Sequence, residues 1–114
     1  MIPYYPAGVN RQGKELLFVV LFTSDYCPTC EEVEKVWEIF KRMYRDELVF
    51  LEFKLANDTK KTFKALGVSW VPTVVFYDEE ERELRRVEGS FTLSELEKGL
   101  RAALRRRRAC LQAS

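Results

Sequence analysis

Between Leu16 and Phe22 the chain reads LLFVVLF, an apolar run with no polar break. A strand with one wet face would alternate, so this run predicts a strand covered on both faces in the middle of a sheet. From Pro28 the pattern changes. Val33, Val36, Trp37, Phe40, Met43 and Tyr44 recur at helical spacing with Glu and Lys between them, which predicts a helix of about four turns with one face on the sheet. Leu48 to Leu55 (LVFLEFKL) reads as the next strand, and Asp58 is placed to cap a short helix ending at Gly67, a residue suited to the left-handed position after a helix. Thr73 to Tyr77 (TVVFY) is a further strand. The acidic turn Asp78 to Glu83 reverses the chain, and Leu84 to Glu88 returns beside it as a polar edge strand. Thr92 and Glu95 have the spacing of a capping box, and Leu93, Leu96, Leu100, Ala103 and Leu104 make one apolar stripe on a closing helix. The pattern predicts an α/β domain with a central mixed sheet and helices on both faces.

Composition narrows the function. With 114 residues, 46% hydrophobic and 13% aromatic, the chain suits a single domain over residues 1–114 that needs no covalent staples. Within it, residues 1–14 read as an irregular N-terminal segment and 109–114 as a tail. The 19 basic and 18 acidic residues nearly cancel, so no global field directs the protein to nucleic acid or to a membrane surface. The N-terminal stretch lacks a basic segment followed by an apolar one, and the longest apolar run is too short to span a bilayer. A soluble, cytoplasmic protein is expected. The absence of histidine excludes Cys-His and Ser-His hydrolases, His-ligated zinc and His-held heme.

Candidate chemistry then centres on FTSDYCPTC, residues 22–30. A Cys-x-x-Cys pair can be a redox couple, half of a metal site, or two incidental buried thiols. A metal site needs about four ligands, and the chain offers Cys27, Cys30, a remote Cys110 and carboxylates, so no metal is expected. Cys110 reads as an exposed free thiol. The redox reading gains from placement where strand becomes helix. Cys27 falls at the N-cap or first helical residue, with Pro28 where a missing N–H costs nothing. Unpaired backbone donors there favour a thiolate, lowering its pKa from about 8.5 toward 7. Cys30 lies one turn on, where Cα atoms roughly 5 Å apart can close a disulfide. Glu31, Glu32 and Glu34 oppose the thiolate, so the depression is expected to be modest and the couple reducing.

These residues resemble a thioredoxin-fold thiol-disulfide oxidoreductase. The likeness rests on LLFVVLFTSDYCPTC, GVSWVPTVVFYD and GSFTLSELEKGL and covers roughly Lys14 to Leu104. It implies a cis proline at Pro72 facing the disulfide, with Val71 pairing its backbone to an extended stretch of substrate. It also implies that Tyr26 and Gly89 border the client-binding surface. Trp70 belongs either to that rim or to the core. GKELLFVVLF and Glu34 are similar to the thioredoxin-like domains of transmembrane thiol reductases.

Several positions depart from the family pattern. Tyr26 stands where thioredoxins usually have tryptophan, and Pro28-Thr29 is closer to a glutaredoxin motif, although FYDEEERELRRVEGS lacks a glutaredoxin's glutathione residues. The family's buried aspartate falls at Leu21, leaving Glu34 and Glu52 as candidates to take the Cys30 proton. The shortened N-terminal element leaves a sheet edge open to weak homodimerisation. The resulting expectation is a disulfide reductase that needs no bound cofactor, acts on protein disulfides and takes electrons from an upstream reductase. The alternative is a noncatalytic adaptor whose cysteines only tune binding.

Overall fold

The computed structural model describes residues 17–24, 30–56 and 58–113, with 110–113 by backbone alone. The expected N-terminal element and Tyr26, Cys27, Pro28 and Thr29 lie outside the described residues. Four strands, β1 (Leu17–Ser24), β2 (Leu48–Leu55), β3 (Thr73–Tyr77) and β4 (Glu83–Glu88), form one sheet in the order β2-β1-β3-β4. The unbroken apolar run is therefore an interior strand. β1 runs parallel to β2, with Leu21 beside Glu52, and antiparallel to β3, with Phe22 beside Thr73.

Helices α1 (Cys30–Tyr44) and α3 (Leu93–Ala113) cover one face, and α2 (Lys60–Ala65) covers the other. Alternate side chains of β1 divide between these layers. Leu17, Val19 and Leu21 pack with Cys30, Val33, Trp37 and Phe40 of α1 and with Leu96, Leu100 and Ala103 of α3. Val20 and Phe22 pack with Phe63 of α2 and Val68. Fully buried side chains such as Trp37, Phe22, Phe40 and Phe76 each contribute roughly 1.5–3 kcal/mol by leaving water. Gly99 lets α3 settle onto the sheet, since a Cβ there would lie 3.0 Å from the Phe76 ring and 3.3 Å from Val87.

The capping box forms as expected, with Thr92 N–H donating to Glu95 Oε1 at 3.1 Å and Glu95 N–H to Thr92 Oγ1 at 3.2 Å. Gly67 takes the left-handed conformation, φ 69°, just past α2. Other details differ from the pattern reading. The residue before α2 is Thr59, not Asp58, and it makes no side-chain cap. Its hydroxyl instead closes the turn out of β2, accepting from Ala56 N–H at 2.8 Å and donating to the Lys54 carbonyl at 2.6 Å. Met43 and Leu104 are 48% and 36% exposed, because each lies at the margin of its helix's apolar stripe. The last helix continues through the stretch expected as a tail. Within it Arg107 is held in a shielded ion pair: its Nε meets Glu79 Oε2 at 3.1 Å, with the two side chains only 16% and 12% exposed. Among the described residues, no helix is long and apolar enough to cross a membrane.

Candidate active site

Strand directions gather four connections at one end of the sheet. β1 and β2 end together, Ser24 beside Leu55, while β3 begins there and β4 ends there, Thr73 beside Glu88. Trp70-Val71-Pro72, leading into β3, and Gly89, following β4, therefore share the end at which β1 stops, on the way to Cys30 at the start of α1. Carboxyl ends of sheet strands, where the connections part to opposite faces, are where open α/β folds place ligands.

The 70–73 segment is fixed from two sides. The buried Thr73 hydroxyl donates to the Trp70 carbonyl at 2.7 Å, and Gly89 N–H donates to the Pro72 carbonyl at 2.8 Å. Gly89 has φ 84°, a backbone conformation that costs glycine little. The Val71-Pro72 peptide is cis, as the resemblance implied. Pro72 is fully buried, Val71 is half-buried, and Trp70 is 67% exposed. That exposure decides between the two readings of Trp70: it is a surface side chain, not core.

Cys30 heads the described part of α1, is 3% exposed, and is disulfide-bonded. It packs in the larger core cluster with Leu21 and Phe91, so its sulfur is shielded from bulk thiols. Cys27 lies outside the described residues, as does the side chain of Cys110.

Glu34 and Glu52 line one depression of about 360 Å³ together with Leu21, Thr23 and Trp37. The β1–β2 register explains the proximity: Glu52 is the lateral neighbour of Leu21 and shares the α1 side of the sheet. The buried Trp37 indole needs an acceptor, and its Nε1–H donates to Glu52 Oε2 at 2.9 Å, while Lys41 Nζ donates to the same oxygen at 2.8 Å. Burial pushes the Glu52 pKa up, but the Lys41 and Trp37 hydrogen bonds and the Lys41 charge outweigh it, and the carboxyl sits below its ordinary value. Glu52 is thus a stably ionised group and a weak base. Glu34 is exposed on α1 at the edge of the same depression.

Sequence reasoning missed Thr73, Lys41 and Arg86. Arg86, on the strand read as a polar edge, donates from Nη1 to the Gly67 carbonyl and from Nη2 to the Leu66 carbonyl, both at 2.8 Å. It thereby caps the end of α2. Strand parity held the signal, since Arg86 pairs with Val75, whose side chain packs in the α2 layer.

The four-stranded mixed sheet with helices on both faces defines a thioredoxin fold. The chain belongs to the thioredoxin-like domain family, whose family model matches residues 7–104. Among solved structures it is similar to a chain of the complex of ferredoxin:thioredoxin reductase with thioredoxin f2, with TM-score 0.70, 22% identity, and 77% of each chain covered. Fasciola hepatica thioredoxin aligns with TM-score 0.66 and 22% identity over 76% of this chain and 81% of that one. Oxidized thioredoxin O2 from Arabidopsis thaliana aligns with TM-score 0.63 and 21% identity over 73% and 70%. At such identities the likeness is one of fold. No curated protein matches the chain.

Proposed function

We propose that the chain is a protein disulfide oxidoreductase that cycles Cys27 and Cys30 between dithiol and disulfide. The observation that carries this reading is Cys30: a disulfide-bonded, shielded cysteine at the head of α1, at the end of the sheet that also holds Pro72 and Gly89. With spacing for a one-turn bridge, Cys27 is its partner. In the reduced form the Cys27 thiolate attacks one sulfur of a client disulfide, giving a mixed disulfide and releasing the first client thiolate. Cys30 then loses its proton and attacks Cys27 Sγ. The second client thiolate leaves, and two electrons and two protons have passed to the client as the Cys27–Cys30 disulfide forms. Tyr26, Trp70, Val71, Pro72 and Gly89 bind the client beside the sulfurs, Val71 through its backbone. Glu34 and Glu52 are the carboxylates available to the Cys30 proton. No bound cofactor takes part. A separate dithiol reductase restores the pair, and a reducing cytoplasm suits this direction.

Insulin reduction in the presence of dithiothreitol tests the reading. The chain accelerates precipitation of the insulin B chain, Cys30→Ser accumulates mixed disulfides through Cys27, and Cys27→Ser traps almost nothing. A binding module with inert cysteines leaves the dithiothreitol rate unchanged, and that result sinks the proposal. Capture of clients by Cys30 in place of Cys27 overturns the assignment of nucleophile.

A further inference from the structure

Beside the candidate site, a groove of about 550 Å³ runs from Val71 and Trp70 along α2, walled by Leu55 and Lys60, Lys61 and Lys64. The size lies in the range of ligand clefts, roughly 300–1,000 Å³. Its floor is apolar, built on the buried Phe63 and Val68. Two large apolar side chains of its wall remain in water, Trp70 at 67% and Leu55 at 37% exposed. The three lysines sit on a helix of only 6 residues. Lys60 and Lys64, one turn apart, repel each other. Among the described residues no carboxylate lies within ion-pairing distance of any of the three, whereas Lys41 on α1 meets both Glu38 and Glu52. The net charge of the whole chain is +1, so this concentration of unpaired ammonium groups is local to the groove.

We propose that the groove receives the stretch of client polypeptide flanking its disulfide, and that it selects an extended segment carrying carboxylates next to a large apolar side chain. Charge complementarity along one edge and unburied aromatic and aliphatic surface along the other favour such a segment. An ammonium row attracts carboxylates from a distance and sets orientation. Trp70, amphipathic and outward-facing, covers the apolar anchor. The groove begins at Val71, so a segment bound there leads directly to the client's sulfur. The identity of the ligand as a disulfide client rests on the exchange reading above; the preference for acidic-apolar segments rests on the groove alone.

The test separates the two. The reduced chain is titrated with a cysteine-free peptide that alternates Glu with Leu and Phe, with its Lys counterpart, and with oligothymidylate. Tryptophan emission is the readout, because Trp70 is exposed while Trp37 is 1% exposed. The acidic peptide shifts the emission to the blue, weakens with added salt, and loses about tenfold in affinity in the Lys60→Gln/Lys61→Gln/Lys64→Gln variant, the scale of a few exposed ion pairs. The Lys peptide does not bind. Equal binding to parent and variant, equal binding of both peptides, or tighter binding of oligothymidylate overturns the inference. Disulfide-linked client peptides with acidic and basic flanks form the second arm. Turnover of both at equal kcat/KM overturns the inference and leaves the exchange reading standing. Failure to turn over any disulfide, with acidic-peptide binding retained, overturns the exchange reading and leaves the groove's ligand standing.

Discussion

Arg86→Met removes the guanidinium that holds α2 against the sheet while keeping an aliphatic stem to pack in its place. In the parent, two guanidinium N–H groups reach the Leu66 and Gly67 carbonyls at 2.8 Å each, and the side chain is 18% exposed. Hydrogen bonds to a charged donor contribute about 1.5–3 kcal/mol each when shielded. Leu66 is 37% exposed, so the freed carbonyls recover water and the lower end applies. The Glu83 contact, with that carboxylate 42% exposed, adds at most about 1 kcal/mol. The expected loss is about 3–4 kcal/mol, or roughly 12–16 °C in Tm for a domain of this size. The effect should also be local. Amide hydrogen exchange should accelerate in α2 beyond the acceleration seen in β1, because α2 has no side-chain cap at its start and loses the guanidinium that clamps its end. Arg86→Lys should rescue little, since an ammonium cannot span two carbonyls in the same fork. Urea unfolding and exchange measured on parent and variants decide the matter. If α2 amides lose no more protection than those of β1, Arg86 is not what fastens α2, and the structural argument fails.

Asp78, 0% exposed, accepts from Glu80 N–H, Arg82 N–H and Arg82 Nε at 2.7–2.9 Å. Burial raises its pKa, but the Arg82 and Glu80 hydrogen bonds and the Arg82 charge outweigh burial and hold it below the usual value. Its stabilisation is therefore fully present above the unfolded carboxyl value of about 3.9 and is lost as pH falls through the lower folded value. Asp78→Asn should cost about 1.5–3 kcal/mol at pH 7 by urea denaturation, with the gap to the parent closing in acid; a gap that stays constant below pH 4 refutes the linkage. Glu34→Gln and Glu52→Gln should slow disulfide exchange near neutral pH more than at alkaline pH, with the larger loss at Glu34, because Lys41 and Trp37 keep Glu52 a weak base. Stopped-flow profiles identical to the parent in both variants would mean that solvent alone takes the Cys30 proton.

How much of this was legible follows from what each signal depends on. β2 and β3 have the bounds read from the sequence, and β1 lies interior, because burial on two faces leaves a local record in the alternation or continuity of apolar residues. The capping box and Gly67 are similarly local. The polar contacts between distant elements are not. Arg86 to α2, Glu52 to Trp37 and Lys41, and Arg107 to Glu79 each join residues distant in sequence, and no periodicity distinguishes such a polar side chain from a solvated neighbour. Asp58 and Thr59 show the same limit at short range. Both can cap a helix, and the choice depended on Thr59 being consumed by the strand-to-helix turn. The order of the motifs around Cys30, Pro72 and Gly89 reflects the strand directions that bring connections together at one sheet end.

The interior position of β1 also governs how the chain must be made. β1 is the first described strand to be synthesised, and both strands that pair with it follow later, β2 across α1 and β3 beyond α2. Val75, which pairs with Val20, is added 75 − 20 = 55 residues afterwards, roughly 3–11 s at cellular translation rates of about 5–20 residues per second. During that interval the most apolar segment of the sheet has no antiparallel neighbour, and the face built from Val20 and Phe22 has no Phe63 to cover it until α2 emerges. A nascent chain of this topology presents a sticky strand to the translation machinery well before it can hide it, which makes the ribosome-bound intermediate the form of this protein most in need of a chaperone.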